Sequence, residues 1–303
     1  MRVYTHPDCL LHDPGAGHPE SPSRLAAVLQ ALHEAHPALQ WVQAPLARTG
    51  QLARVHSEDM ISLVLETPVD GSVRLDADTV LSPGSASAAL HACGAGIAAV
   101  DAVLGGEIDR AFCAVRPPGH HATANTSMGF CLFNSIAVAA AHALAEHGLD
   151  RVAIVDFDVH HGNGTQDIFQ DDARVFYASS HQWPLYPGTG ASDEAGVGNV
   201  ANAPLPPGAG STAFRAAWRD RLLPALEAFA PQLLLVSAGF DGHRLDPLAD
   251  LGLVADDYHW LTSQLVSVAS RHTRGRIVSF LEGGYSLTAL RECSVAHVAA
   301  LTA

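Results

Sequence analysis

The stretch that decides the fold is residues 154–164, IVDFDVHHGNG, in which an apolar run leads into two aspartates, two histidines and a glycine-rich turn. Because alternate residues of a strand project to opposite faces, Asp156, Asp158 and His160 are expected on one side. A carboxylate and an imidazole two residues apart can reach one metal ion, and this pair suits zinc, or iron, cobalt or nickel in its place. The competing interpretation is a buried strand with a polar end, which is disfavoured because buried acids need partners.

Composition narrows the class of protein. The chain has 303 residues, 48% of them hydrophobic, which is enough for a large core in one α/β domain or two smaller domains. A net charge of −14 disfavours a nucleic-acid-binding protein, which needs a basic face, and is compatible with cationic substrates.

Targeting signals are not evident in the sequence. No apolar run of the roughly eighteen residues that cross a bilayer is present, so no membrane association is expected. The N-terminus lacks the apolar segment of a secretory signal. Five scattered cysteines without a CxxC pair indicate reduced thiols in a cytoplasmic protein.

Strand-like and helix-like stretches alternate along the chain. The predicted strands are residues 111–115, 152–157, 174–178, 233–238 and 276–281. The predicted helices are about residues 22–35, 85–104, 134–147, 212–229, 255–270 and 287–301. This alternation predicts βαβ units and a mostly parallel sheet with helices on both faces. The Pro- and Gly-rich residues 183–210 are interpreted as a long loop region, so residues 1–303 are predicted to form one domain.

Polar clusters follow four of the predicted strands. They are RPPGHHA at 116–122, DVHH at 158–161, GFDGHR at 239–244 and EGGY at 282–285. Ligands of parallel α/β sheets bind beyond the carboxyl ends of the strands, so these clusters are expected at one edge. Four clusters at one edge predict an active site.

The chemistry of these clusters predicts a catalytic metal centre. A catalytic zinc keeps three protein ligands and an open position, and Asp158, His160 and Asp241 supply such a set. A metal-activated water needs a base, for which His120 and His121 are both candidates.

Further residues suit the remaining roles. Asp156 is a candidate to orient one of the two histidines. Tyr285 follows two glycines, and its hydroxyl suits a donor to the oxyanion that forms when water attacks a carbonyl. Phe130 is a candidate wall for a narrow apolar channel. A plain turn at Tyr285 and a core position for Phe130 are the alternatives, disfavoured because both residues occur together with the metal set.

Taken together, these motifs resemble the histone deacetylase family, in the branch that includes class II enzymes, bacterial deacetylase-like amidohydrolases and acetylpolyamine amidohydrolases. The matching motifs span nearly the whole chain. They are HPE at 18–20 with Arg24, RPPGHHA at 116–122, GFC at 129–131 with Asn134, DFDVHHGNGTQ at 156–166, YPGTG at 186–190, SAGFD at 237–241, DPL at 246–248 and EGGY at 282–285.

The resemblance implies a fold and a cofactor. The fold is the three-layer, arginase-like α/β fold with a mostly parallel sheet of about eight strands. The cofactor is zinc, with iron(II) as a substitute, on Asp158, His160 and Asp241.

The resemblance also implies catalytic roles. His121 is the general base, and His120, paired with Asp156, is its electrostatic partner or the acid. Tyr285 polarises the substrate carbonyl.

Substrate contacts follow from the same resemblance. Phe130 and Tyr186 line the substrate tunnel, the Gly129 carbonyl accepts the substrate amide N–H, and Leu248 lies at the rim. Arg24 matches a family arginine near the exit path of the released acid.

Structural potassium ions are a further implication, bound through backbone carbonyls. The first site would use Asp156, Asp158, His160, Ser179 and Ser180. The second would lie near Phe169, Asp172 and Val175.

Departures from the family pattern indicate to which branch of the family the chain is most similar. Asn163 stands where class I members carry a second aspartate, which indicates class II, and Tyr186 stands where many members have phenylalanine. Leu248 stands where a polyamine-selective relative has a glutamate that reads a distant ammonium group, so a polyamine substrate is disfavoured. Asp193 or Glu194 are the acids expected to replace that glutamate if the substrate is a polyamine.

Three hypotheses about function follow. The leading one is a zinc-dependent deacetylase that hydrolyses the amide of ε-N-acyl-lysine, or of a similar acylated amine, to a carboxylate and a free amine. The second is an acetylpolyamine amidohydrolase. The third is a non-catalytic acyl-ligand binding protein, which is disfavoured because Tyr285 and all three metal ligands are present. No nucleic-acid or membrane partner is expected, and a homo-oligomer is left open.

Overall fold

A sheet of eight parallel strands forms the centre of the computed structural model, which describes residues 1–303. In chain order the strands are β1 (Arg2–Thr5), β2 (Gln40–Gln43), β5 (Arg110–Cys113), β6 (Val152–Asp156), β7 (Val175–Gln182), β8 (Val200–Leu205), β9 (Leu233–Ala238) and β10 (Ile277–Leu281), with β3 (Val73–Arg74) and β4 (Val80–Leu81) forming a separate hairpin. Their order across the sheet is β2-β1-β5-β10-β9-β6-β7-β8.

Helices cover both faces of this sheet. They are α1 (Pro22–Ala35), α2 (Thr49–Leu52), α3 (Glu58–Glu66), α4 (Ser85–Leu104), α5 (Ser135–Glu146), α6 (Asn163–Phe169), α7 (Ser211–Ala217), α8 (Leu223–Phe229), α9 (Ala255–His272) and α10 (Leu287–Thr302), with a 3-10 turn at Pro7–Leu10 and a π turn at Trp218–Leu222. The predicted fold class is therefore confirmed.

The central strands are buried along their whole length. Every residue of β6, β9 and β10 is buried, because helices cover both faces of the sheet there. Such strands consist of nearly continuous apolar residues, which explains why the sequence pattern located them.

Helix α4 is long and apolar enough to cross a membrane by length and composition. Of its most apolar window, 72% is buried inside the protein, as expected of a core helix. Its Gly96 lies so close to the sheet that a Cβ atom there would come 2.6 Å from the Phe280 ring. The helix therefore packs directly on β10.

The structure differs from the sequence-based prediction in two places. Residues 200–205, assigned to a loop region, form the edge strand β8, which tolerates Pro204 because an edge strand leaves part of its backbone unpaired. Residues 212–229 are helical as predicted, but they are not α-helical throughout. The π-helical turn Trp218–Leu222 joins α7 to α8 just before Pro224, which lacks the N–H that an uninterrupted α-helix would need.

The sheet order determines where the polar clusters meet. The four strands that precede these clusters, β5, β10, β9 and β6, are consecutive neighbours in the sheet. Because these strands are parallel, their carboxyl ends lie at one edge. The four clusters are thereby brought to one place.

Candidate active site and metal centre

Asp158, His160 and Asp241 form a buried cluster at this edge, with one ligand atom from each within 4.8 Å of the others. His160 Nδ1 lies 3.2 Å from Asp158 Oδ1 and 3.2 Å from Asp241 Oδ2. The second contact lacks the alignment of a hydrogen bond, and Asp241 Oδ2 has no other partner although it is buried. Two carboxylates, an imidazole and an unpartnered buried oxygen fit a divalent cation such as zinc.

The main chain orients both carboxylates. Gly283 N–H donates to Asp158 Oδ2 at 2.8 Å, and Val159 N–H donates to Asp241 Oδ1 at 2.8 Å. A Cβ on Gly239 would lie 2.0 Å from Asp158 Oδ2, so this position requires glycine. The carboxylates are therefore fixed by backbone that approaches them closely.

The electrostatics of the cluster favour a positive charge. Burial alone would lower the pKa of His160, but the adjacent carboxylates of Asp158 and Asp241 raise it to about 10. Burial and the charge of Asp158 raise the pKa of Asp241 to about 7. Both shifts follow from two carboxylates held close together in a buried place.

The two histidines beside this cluster have different partners. His120 Nδ1 lies 2.9 Å from Asp156 Oδ2, which also accepts a hydrogen bond from the Tyr177 hydroxyl at 3.1 Å. His121 Nδ1 lies 2.8 Å from Asn163 Oδ1. Since this amide oxygen can only accept, His121 carries its proton on Nδ1 and keeps a lone pair on Nε2.

Their pKa values move in opposite directions. Burial would lower the pKa of His120, but the charges of Asp156 and Asp158 outweigh it and raise that pKa well above the usual value. Burial and the positive charges of His120 and His160 hold the pKa of His121 well below the usual value. The pair therefore consists of a charged and a neutral imidazole.

A cavity of about 240 Å³ leads to these groups. It is lined by Asp78, His121, Gly129, Phe130, His160, Leu185, Tyr186, Leu248 and Tyr285. The Phe130 and Tyr285 rings meet edge to face at 5.7 Å. Phe130 has a φ of 68°, which is rare for a bulky residue, and its N–H donates to Thr79 Oγ1 at 3.1 Å.

Tyr285 is fixed on its backbone side and free at its hydroxyl. Its N–H donates to Asp246 Oδ2 at 2.7 Å, and the Arg24 guanidinium carbon lies 4.9 Å from the ring centroid. The hydroxyl makes no hydrogen bond within the protein. Burial raises the pKa of Tyr285 well above its usual value, so the O–H stays protonated and available as a donor.

A family model for the histone deacetylase domain matches residues 18–301. The chain belongs to the histone deacetylase family. It is 41% identical over 295 residues to the "Histone deacetylase-like amidohydrolase" of Pseudomonas aeruginosa, covering 95% of this chain and 77% of that protein. It is 37% identical over 293 residues to the "Probable deacetylase" of Archaeoglobus fulgidus, covering 94% of this chain and 81% of that protein.

Solved structures give the same result. The crystal structure of the HD domain of HDA15 matches with a TM-score of 0.94 at 36% identity, covering 99% of this chain and 87% of that chain. The family resemblance is confirmed, and the protein is a hydrolase of the deacetylase and amidohydrolase type.

The two acids expected to replace the missing glutamate for a polyamine substrate, Asp193 and Glu194, are placed differently from expectation. Glu194 does not line the cavity, because its carboxylate accepts hydrogen bonds from the Gly190 and Ala191 N–H groups and from Gln166. Asp193 does not line it either. The half-buried acid that does is Asp78, which sequence reasoning missed.

The sequence held only a weak signal for Asp78. Asp76, two residues earlier, accepts the N–H groups of Asp78 and Thr79 at 2.9 and 2.6 Å and so closes the turn that presents this acid. An Asp-x-Asp-Thr turn is a common surface feature, and nothing in it indicates which aspartate faces a cavity.

The first potassium site implied by the family fits this structure. Asp158 and His160 are buried, yet their main-chain carbonyl oxygens accept no hydrogen bond. Asp156, Ser179 and Ser180 lie beside them on the paired strands β6 and β7. Free carbonyl oxygens at this point suit a monovalent cation.

The second implied potassium site does not fit. The carbonyl oxygens of Phe169, Asp172 and Val175 do converge, but on the side-chain nitrogen of Asn199, at 2.8, 3.0 and 2.8 Å. The amide group therefore fills the point at which an ion would sit.

Proposed function

We propose that this protein is a zinc-dependent deacetylase that hydrolyses the amide of ε-N-acyl-lysine, or of a similar acylated amine, to a carboxylate and a free amine. The observation that supports this proposal is the cavity of about 240 Å³ that reaches the Asp158, His160 and Asp241 cluster, with His121 and Tyr285 on its walls. Its aromatic and leucine side chains suit the aliphatic stem of an acyl-lysine.

The Gly129 carbonyl is suited to hold the substrate amide. It accepts only a contact from the Cys131 thiol at 3.3 Å, and thiols are weak donors. A substrate N–H is a stronger donor, so the amide would be held with its carbonyl carbon towards the metal cluster.

The residues around the amide divide the proton transfers. His121, neutral and with a lone pair on Nε2, takes a proton from the attacking water. His120, kept positively charged by Asp156, stabilises the negative charge that develops and is placed to protonate the leaving amine. Tyr285 donates its O–H to the carbonyl oxygen as that oxygen becomes negative.

Zinc, with iron(II) as a substitute, would be held by Asp158, His160 and Asp241. When bound, it supplies Lewis acidity that polarises the carbonyl and lowers the pKa of a water molecule to roughly 7. A potassium ion on the first site would hold the backbone of the same segment. We place the protein in the cytoplasm, in keeping with its five free thiols.

An acetylpolyamine amidohydrolase is the second candidate, supported by Asp78. This carboxyl lines the cavity and lies near Tyr186. Burial is the main cause that raises the pKa of Tyr186, and the charge of Asp78 adds to it. A carboxylate there can pair with the ammonium group of a polyamine, but it can equally accept the backbone N–H of a peptide. Leu185 and Leu248, which also line the cavity, favour the peptide.

Turnover of two substrates tests the proposal. Zinc-loaded protein is given an acetyl-lysine peptide and N-acetylputrescine, and kcat/KM is measured for each. We expect the peptide to be preferred, and Asp78→Asn to reduce turnover of N-acetylputrescine more than that of a peptide without charged neighbours. A preference for N-acetylputrescine would favour the second candidate. No hydrolysis of either by protein that holds one zinc equivalent would contradict both.

A further inference from the structure

Glu282 is a fully buried acid at the end of β10, and sequence reasoning assigned it no role of its own. Its Oε2 accepts the Gly119 N–H at 2.7 Å and the His120 N–H at 3.3 Å. Its Oε1 accepts the Ser237 hydroxyl at 3.1 Å. Both oxygens are therefore used, and the stronger contact is to the loop that carries the two histidines.

The histidine loop has little freedom on its other side. A Cβ on Gly119 would lie 2.7 Å from the Ser135 nitrogen at the start of α5, so this loop is pressed against the helix. Glu282, at the end of β10, holds the loop from the sheet side by accepting the buried N–H groups of Gly119 and His120. Without an acceptor these N–H groups would be buried unpaired, which is unfavourable.

The ring of His120 and its backbone are held from different directions. Asp156 on β6 contacts the ring nitrogen, and Glu282 on the neighbouring loop contacts the main-chain nitrogen of the same residue. His121 follows directly in the chain, so its position depends on the same anchor. Two contacts fix an imidazole better than one, because a single hydrogen bond leaves the ring free to pivot.

We propose that Glu282 is a positioning residue that sets the His120–His121 pair for catalysis by accepting the backbone N–H groups of Gly119 and His120. This inference rests on the proposed deacetylase function. It assigns to Glu282 a role in geometry rather than a role in charge or proton transfer.

The protonation state of Glu282 does not alter this role. Burial raises the pKa of its carboxyl to about 7. A protonated carboxyl keeps a carbonyl oxygen for the loop and can donate to Ser237 instead of accepting from it. The length of the side chain, in contrast, is critical, because the hydrogen bond to Gly119 is already at a normal distance.

Two substitutions separate geometry from charge. Glu282→Gln keeps the length and an acceptor oxygen but removes the charge, and its amide can donate to the Ser237 oxygen. Glu282→Asp keeps the charge but shortens the side chain by about 1.5 Å, one C–C bond, so the contact to the loop is lost. Displacement of a catalytic group by 1 Å can cost about 100-fold in rate.

The experiment measures kcat, KM and bound zinc for both variants on the substrate that the parent protein turns over. We expect Glu282→Gln to keep kcat within about fivefold of the parent and Glu282→Asp to lose about 10–100-fold. KM should stay within about threefold and one zinc equivalent should remain in both. Asp257→Asn, which removes another buried carboxylate that contacts Ser211 and Arg215, controls for general destabilisation.

A second readout does not depend on turnover. In spectra of the zinc-loaded protein with ¹⁵N-labelled histidine, we expect the imidazole signals of His120 and His121 to stay in place in Glu282→Gln and to move in Glu282→Asp. Glu282→Gln being less active than Glu282→Asp, or both variants matching the parent, would overturn the positioning role. If the parent hydrolyses no acyl amide, the spectra alone still decide the position of the pair.

Discussion

Replacing Gly283 by alanine adds one methyl group directly beside the metal cluster. Gly283 follows Glu282 at the end of β10, and its φ is not in the left-handed region, so an alanine backbone is tolerated. Its N–H donates to Asp158 Oδ2 at 2.8 Å, and this bond does not require glycine. The substitution therefore changes the space around the ligands rather than the fold.

The expected effect follows from the distances. The added Cβ would lie 2.0 Å from Asp241 Oδ2 and 2.6 Å from Asp158 Oδ2, whereas real Cβ atoms essentially never come closer than 3.0 Å. The Asp241 oxygen must therefore move by at least about 1 Å, while metal–ligand distances tolerate about 0.2 Å. Loss of outer-shell support alone costs about 10–100-fold in metal affinity, so displacing a ligand should cost at least about 100-fold, or about 2.8 kcal/mol.

Zinc affinity is measured by competition with a chromophoric chelator, with the unfolding transition recorded alongside. Gly252→Ala is the matched control, because its Cβ would meet nothing closer than 3.7 Å, and we expect its zinc affinity to equal that of the parent. A folded Gly283→Ala protein that binds zinc within threefold of the parent would refute the assignment of Asp158 and Asp241 as ligands.

Three further substitutions test other parts of the site. Tyr285→Phe removes only a hydroxyl, and we expect kcat to fall by roughly 10²–10³-fold with an unchanged melting temperature; a kcat within threefold of the parent would contradict the role of the O–H group. His121→Ala should abolish turnover while one zinc equivalent stays bound, as measured by atomic absorption; release of zinc would instead make His121 a ligand. Asn199→Ala should uncover the carbonyls of Phe169, Asp172 and Val175, so that exchange of sodium for potassium chloride raises its melting temperature by about 2–4 °C more than that of the parent; an equal response would argue against a cation-binding point there.

The strands that could be predicted from the sequence are those buried along their whole length. β6 and β9 are buried on both faces and consist of unbroken apolar residues, so pattern and structure agree. β1 and β2 lie towards one edge of the sheet and β8 forms the other. Each is short or partly exposed, and β8 contains a proline, so its sequence resembles that of a loop.

The residues of the site also differ in how far the sequence could predict them. Asp158 and His160 were predictable because they lie two residues apart directly after the buried strand β6, which ends at Asp156, and Asp241 because it follows another apolar run. The Tyr177 contact to Asp156 was not, since the two side chains meet only when β6 and β7 pair. The sequence also does not show whether the carboxylate of an acidic residue already accepts hydrogen bonds within the protein. For this reason Glu194 was a candidate for the cavity rim and Asp78 was not.

The four residues of EGGY at 282–285 each hold a different part of the site. The Glu282 carboxylate holds the histidine loop, the Gly283 N–H holds Asp158, the Gly284 carbonyl accepts the Arg24 Nε–H at 2.5 Å, and Tyr285 lines the cavity. These contacts differ in kind and direction, yet all depend on where β10 ends.

The register of β10 therefore controls base, metal and oxyanion donor together. β10 pairs with β5 on one side and with β9 on the other, and these two strands carry the histidine loop and the Asp241 loop. A slip of one residue would turn every side chain of the segment to the opposite face. Because β10 lies in the middle of an eight-stranded parallel sheet, such a slip would break hydrogen bonds on both sides at once. The geometry of the catalytic groups is thus maintained by the centre of the sheet, where β10 is paired on both sides.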